Sequence, residues 1–373
     1  MPSADVHLRR LASTVDLTVY GHSWTQSGAG SSLVSAPDYC ASRSLQPVEL
    51  TPLLLLYRGL KEALDADRPD VIHVVAEPWW LLVRQVVSWL SGHPATALVV
   101  HGDDRHWWDV PAAKRLLRRS LARPALARAD GYVASSELAI ETAKIFARNP
   151  RLVTGIINTN PRDPSVFRPA TNETEQRECR RRLGLPERGT GLGFIGRLVP
   201  EKGPLHFLDT VERAAGKRAD VWAAVAGSGP LEAAVRARSG HASAMYLGPL
   251  GDPEETVGFY RSLDVLVVPS YRILGGDEMG PRVVIEGMLS GCLIVGTRSG
   301  AIPEMIDAAG LLVDERDVDA LAEALVRAVS DPAVDELRSK ARQRAIDLYS
   351  GERVAEMTAA LWEHVIHARR SAA

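Results

Sequence analysis

Short apolar runs that stop at a glycine or a polar residue and then give way to helical stretches recur along this chain. Val265-Leu266-Val267-Val268, Gly193-Phe194-Ile195-Gly196, Ala223-Ala224-Val225-Ala226-Gly227, Val71-Ile72-His73-Val74-Val75 and Ala97-Leu98-Val99-Val100-His101 are the clearest. Runs of this length with little polar alternation suit strands covered on both faces, which parallel sheets flanked by helices provide. Their alternation with longer helical stretches points to an α/β chain of doubly wound parallel sheets. A length of 373 residues exceeds what one core usually serves, and a 46% hydrophobic content is enough for two. Two domains are therefore expected, over 1–168 and 169–350, with the turn-prone, rigid run Asp163-Pro164-Ser165-Val166-Phe167-Arg168-Pro169 as the linker.

Composition removes several function classes. A net charge of -2 gives no overall attraction to nucleic acid, and no recognition motif compensates. Cys40, Cys179 and Cys292 are odd in number and scattered, which argues against a disulfide framework and for a reducing compartment. No Cys/His cluster has metal-ligand spacing, no apolar leader opens the chain, and no run is long enough to span a bilayer. A cytoplasmic enzyme is expected.

The chemistry concentrates in two loops. In the first, the strand ending at Gly196 is followed by Arg197, Leu198, Val199, Pro200, Glu201, Lys202 and Gly203. Arg197 offers a planar fork of donors and Lys202 a compact charge, a combination suited to a diphosphate and to the negative charge that grows on a departing nucleotide. A basic loop alone is more often a solvated turn. The second loop follows the strand at 265–268, passes through Gly275-Gly276, and leads by Glu278, Met279, Gly280 and Pro281 into an apolar helix carrying Glu286. A helix N-terminus after a strand supplies free N–H groups for phosphate oxygens, and carboxylates accept from the hydroxyls of a ribose or a sugar. The bland alternative has Glu278 capping the helix and Glu286 on the surface. Gly227-Ser228-Gly229-Pro230 is too short for a dinucleotide fingerprint.

The order of these pieces resembles the retaining family 4 glycosyltransferases of GT-B fold. The matching elements are Gly196-Arg197 with Glu201-Lys202-Gly203, Gly227-Ser228-Gly229-Pro230, Glu278 and Glu286 with Met279-Gly280, Gly291-Cys292, and Gly300-Ala301-Ile302-Pro303-Glu304. The resemblance implies two Rossmann-like domains facing a cleft, an N-terminal acceptor-binding domain, a C-terminal donor-binding domain, and a last helix over 351–373 crossing back to the first. It implies that Arg197 and Lys202 hold the donor diphosphate, Glu286 the ribose hydroxyls, and Glu278 with the amides of Met279 and Gly280 the donor sugar, with Gly196 and Gly227 also on the donor and Arg197, Lys202 and Glu278 among the catalytic residues. It also implies that His101, at a strand end, reaches toward the reaction centre, although a lone His there has a structural reading as well. Asp103 and Asp104 either serve the acceptor or cap the next helix. The implied activity is transfer of a sugar from a UDP-, GDP- or dTDP-sugar to a hydroxyl acceptor such as a lipid-linked glycan, polysaccharide or natural product, with no cofactor and no metal. A GT-B epimerase or phosphorylase, or a non-catalytic nucleotide-sugar-binding scaffold, are the other readings.

Two features depart from that pattern or add to it. The chain opens with a helical stretch at 4–11 and a strand at 15–20 that resembles the family's second strand, leaving the first strand and its glycine loop without a counterpart. The Gly/Ser run at 27–32 either substitutes for that loop or is a surface turn. The stretch 114–123 is a basic helix preceded by His106-Trp107-Trp108, which suits either peripheral contact with an anionic membrane or a solvated helix packed on the sheet.

Overall fold

A computed structural model describes residues 6–22, 40–49, 55–103, 110–158, 160–215, 221–239, 244–273 and 278–371. The Gly/Ser run at 27–32, Asp104, His106-Trp107-Trp108 and Gly275-Gly276 lie outside them. The chain divides into two compact units, one formed by Pro2–Thr159 with Gly351–Ala373 and the other by Asn160–Ser350.

In the N-terminal unit, β1 (Thr18–His22), β2 (Ala41–Glu49) and β3 (Leu55–Arg58) form a small sheet in which β1 and β2 are parallel and β3 is antiparallel to β2. The strand expected at 15–20 begins later because the helix Val6–Ala12 unwinds through a turn: Val15 N–H and the Thr14 hydroxyl both bond back to the Leu11 carbonyl. Next come β4 (Val71–Val75), β5 (Ala97–His101), β6 (Gly131–Ala134) and β7 (Val153–Ile156), a parallel sheet in the order β4-β5-β6-β7. Among the described residues β1 pairs with β2 and does not join this sheet.

Strand β5 shows why its run reads as apolar throughout. Leu98 and Val100 point into one core with Trp79, Val83 and Leu126, while Ala97 and Val99 point into the other with Val354, Leu361 and Val365 of the helix Gly351–Arg370. Side chains of a strand alternate between faces, so covering both faces demands apolar residues at every position.

The C-terminal unit holds β8 (Thr190–Ile195), β9 (Val221–Ala226), β10 (Ala244–Gly248), β11 (Val265–Val268), β12 (Leu293–Thr297) and β13 (Leu311–Val313). They form one parallel sheet in the order β10-β9-β8-β11-β12-β13, with a core on each face. The chain starts at the centre with β8, builds outward to β10, then crosses back to lay β11 on the other side of β8. This is the dinucleotide-type order, and its direction reverses between β8 and β11. In open α/β sheets ligands bind at the carboxyl ends of the strands at such a switch point. Residues 163–169 belong to this unit, where Phe167 is buried in the core and Arg168 pairs with Glu175.

Candidate functional site

The loops leaving β8 and β11 meet at the switch point. After β8, Gly196 N–H bonds to the Ala226 carbonyl and Leu198 N–H to the Ser228 carbonyl, so the β8 and β9 loops run side by side. They do so because Gly227 carries no side chain: at φ 135 its Cβ would sit 1.8 Å from the Gly196 carbonyl oxygen. A single 3-10 turn, Pro200–Lys202, then aims Lys202 toward the neighbouring strand, and Tyr271 N–H reaches back to the Glu201 carbonyl at 2.9 Å.

Glu278 receives that lysine. Lys202 Nζ donates to Oε1 at 2.6 Å and also to Oε2, and the Ser270 hydroxyl donates to Oε2 at 2.9 Å. The carboxylate is 9% exposed. Its backbone is held from a third loop, where Ala301 N–H bonds to the Glu278 carbonyl at 2.7 Å. Gly300, at φ 55, permits this approach, since a Cβ there would lie 2.0 Å from the same oxygen. Glu278 is therefore no helix cap. The helix Arg282–Leu289 starts from Pro281 without a side-chain cap.

Glu286 is equally enclosed, at 9% exposure, and the surface reading of it is incorrect. Five of its helix neighbours, Val284, Ile285, Gly287, Met288 and Leu289, are buried with it, because the helix lies against β11 and β12. Arg162 Nε donates to Oε1 and the Tyr260 hydroxyl to Oε2, both at 2.7 Å. Burial first, then the negative charge of Glu286, push the Tyr260 phenol well above its ordinary range, so it stays a donor. Each carboxylate oxygen keeps a lone pair that a ribose hydroxyl can use.

Arg197 differs from the others. Its side chain is 70% exposed and its guanidinium stands 3.8 Å from Glu201. An exposed guanidinium beside a lysine already committed to a carboxylate leaves the loop able to gain an anion. Met279 is 44% exposed and Gly280 half-buried, at the start of the same helix. Among the described residues no three His, Cys, Asp or Glu side chains are grouped so as to hold a metal ion.

His101 belongs to the N-terminal unit, at the carboxyl end of β5. It is 5% exposed, and its Nε2 has no partner among the described residues. Burial lowers its pKa to about 3, against the opposing pull of a backbone hydrogen bond to Ile157, so the imidazole is neutral. It stacks on His73 with ring centroids 5.6 Å apart, and Trp362 of the last helix donates to His73 Nδ1 at 3.2 Å. Gly102 beside it allows the Glu77 carboxylate and the Tyr132 hydroxyl close in, each 2.8 Å from where a Cβ would be. Asp103 Oδ1 accepts from Ser135 N–H at 2.6 Å and its own N–H donates to Glu77 Oε1 at 2.9 Å; residues 104–109, which follow it, lie outside those described.

Arg162, Tyr260 and Ser270 escaped the sequence reading. Ser270 had a local signal, since it follows the strand end by two residues. Arg162 and Tyr260 are 124 and 26 residues from Glu286 and have none.

Residues 189–331, from β8 through β13 and the helix that follows, match the family model for glycosyl transferases group 1. The match lies within the C-terminal unit. The matched stretch contains Arg197, Lys202, Glu278 and Glu286, whereas Arg162 lies outside it. The chain is 34% identical over 189 residues to a D-inositol 3-phosphate glycosyltransferase of Corynebacterium jeikeium, covering 47% of this chain and 43% of that protein. It is 29% identical over 313 residues to a 2-deoxystreptamine glucosyltransferase of Streptomyces kanamyceticus, covering 80% of this chain and 78% of that one. The chain thus spans less than half the length of the Corynebacterium protein. Among solved structures, Anabaena HepE in complex with UDP superposes with a TM-score of 0.70 at 18% identity, covering 96% of this chain and 95% of that one. At such identity the likeness establishes the fold, and with the two parallel sheets it gives the GT-B class with two Rossmann-like domains.

Proposed function

We propose that this chain is a retaining, metal-independent glycosyltransferase of family 4 that moves a sugar from a nucleoside-diphosphate sugar to a hydroxyl. The observation that carries the reading is the Lys202–Glu278 pair at the switch point of the C-terminal sheet, with the exposed Arg197 on the same loop. Lys202 and Arg197 bind the donor diphosphate. As the glycosidic bond to the leaving phosphate breaks, negative charge builds on its oxygens, and the two cations stabilise that charge more than the ground state. Glu286, held by Arg162 and Tyr260, accepts from the ribose hydroxyls. Glu278 accepts from donor-sugar hydroxyls while Lys202 shifts part of its attention to phosphate. The departing phosphate takes the acceptor's proton on the face where the new bond forms, so no protein carboxylate is needed as nucleophile. On the family resemblance we also assign His101, neutral at the carboxyl end of β5, a part in the reaction.

Because the relatives are named for 2-deoxystreptamine and for D-inositol 3-phosphate, these two compounds are the first acceptors to try. The test is a panel of UDP-, GDP- and dTDP-sugars scored by thermal stabilisation, since a ligand that binds only the native state raises its stability by mass action. A stabilising sugar nucleotide is then incubated with both acceptors, and the product's anomeric configuration is read by NMR. No stabilisation by any nucleotide sugar refutes the reading, and an inverted product refutes retention.

A further inference from the structure

The helix Ala112–Arg128 has two apolar faces and only one is packed. Ala122, Ala125 and Leu126 are fully buried against the N-terminal sheet. The opposite stripe, Ala113, Leu116, Leu117, Ser120, Pro124 and Ala127, recurs at intervals of one, three or four residues and is exposed along its whole length, Leu116 at 67% and Leu117 at 55%. No acidic residue occurs in these 17 residues. Among the helix's cations, Arg118 lies over the Trp79 ring at 4.7 Å and Arg128 pairs with Asp130 at 2.8 Å. Lys114 flanks the outward stripe on one side, and Arg119 and Arg123 flank it on the other. Arg123 is held below its ordinary pKa by the charge of Arg119 first, then by burial and Arg148, a sign that positive potential there is unrelieved.

The neighbouring helix Glu137–Ala147 extends the same character. Its Ile145 is 64% exposed, and its Phe146 lines a recess of about 340 Å³ together with Ala112, Arg115, Leu116 and Arg119. Of its two acids, Glu141 is taken by Lys144 at 2.8 Å.

We infer that the outer face of the helix Ala112–Arg128 docks on an anionic lipid surface, leucines inserted and cations at the headgroups. A soluble polyanion would be served by the cations alone and leaves the leucine stripe unexplained. A lipid interface takes both, because apolar insertion and a basic flank together reach an affinity neither gives singly. Docking would be peripheral, since no helix among the described residues is long and apolar enough to cross a membrane. The inference is independent of the donor site.

The test is flotation of the full chain with vesicles of phosphatidylglycerol and phosphatidylcholine, and with vesicles of phosphatidylcholine alone, in dilute and in concentrated salt. Two variants accompany it, Leu116→Ser with Leu117→Ser, and Lys114→Glu with Arg119→Glu and Arg123→Glu, each checked for an unchanged melting temperature. The wild type should float with the anionic vesicles only and be released by salt. The charge variant should lose about 100-fold in partitioning, at roughly fivefold per cation. The leucine variant should lose about tenfold or more. Failure of the wild type to float overturns the proposal. So does flotation unaffected in the leucine variant, which would mark a site for acidic polymers. Self-association in sedimentation that the leucine variant abolishes, without flotation, would assign the face to a second copy of the chain and equally overturn it.

Discussion

Arg162 donates from Nε to Glu286 Oε1 at 2.7 Å, and the two side chains are only 10% and 12% exposed. The arginine lies where the chain enters the C-terminal unit, its N–H bonded to the Tyr349 carbonyl at the point where the chain leaves it. The acid that the proposed mechanism assigns to the ribose is thus oriented from a segment that sequence motifs pass over. Removing one partner of a buried pair strands the other's charge, which costs more than the pair contributes.

Arg162→Ala should therefore destabilise the C-terminal unit by about 3 kcal/mol, the low end of the range for broken buried pairs because Tyr260 still donates to Glu286. At about 2–4 °C per kcal/mol for a unit of this size, calorimetry should register a fall of roughly 6–12 °C. Arg162→Ala with Glu286→Gln should recover part of it. A single-variant loss below about 1 kcal/mol would show that the pair is not sealed from water.

Lys202→Ala and Arg197→Ala should each cut turnover by about 10²-fold or more, because the charge they stabilise is largest in the transition state. They should differ in stability. Arg197 is exposed and its loss should leave the melting temperature unchanged, whereas loss of Lys202 removes the cation from the buried Glu278, leaves it the Ser270 hydroxyl, and should lower the melting temperature. Wild-type turnover in the double variant would remove the diphosphate role from this loop.

Glu286→Gln should weaken binding of the free nucleoside diphosphate, while Glu278→Gln should leave it nearly unchanged and raise KM for the intact sugar nucleotide. Isothermal titration with diphosphate and with sugar nucleotide separates the two. Equal effects on both ligands would mean that the acids act as one structural cluster and not as two recognition points.

His73 and His101 both have their pKa lowered to about 3, in each case chiefly by burial. Both are neutral in the folded protein at neutral pH, whereas in the unfolded chain they take up protons near pH 6.5. The unfolded state then binds more protons, so the stability they confer is complete above about pH 6.5 and is lost as the pH falls from there toward 3. Each contributes up to about 1.4 kcal/mol per pH unit in that window. Asp103, whose burial raises its pKa, works in the opposite direction. Chemical denaturation between about pH 4.5 and 6.5 should show a shallower pH slope in His73→Asn with His101→Asn than in the wild type. Identical slopes would mean that the rings are hydrated. The pH–rate profile should show no break near 6.5 from His101.

What the sequence by itself determined is local. Doubly covered strands must be apolar at every position, so β5 and β11 were legible as bare runs. Glycines and cations directly after a strand suit a phosphate, so Gly196, Arg197, Lys202 and Gly227 stood out in the sequence as candidates for that role. The start of β1 was misplaced because a helix end unwinding through residues 13–15 leaves no compositional mark. The tertiary structure decided which charges meet. Lys202 and Glu278 are 76 residues apart and touch only because the sheet reverses direction between β8 and β11. Trp362 reaches His73 from 289 residues away because the last helix covers the N-terminal sheet. Strand order and helix docking follow from the packing of whole faces, and no residue's own chemistry encodes the partner it will find there.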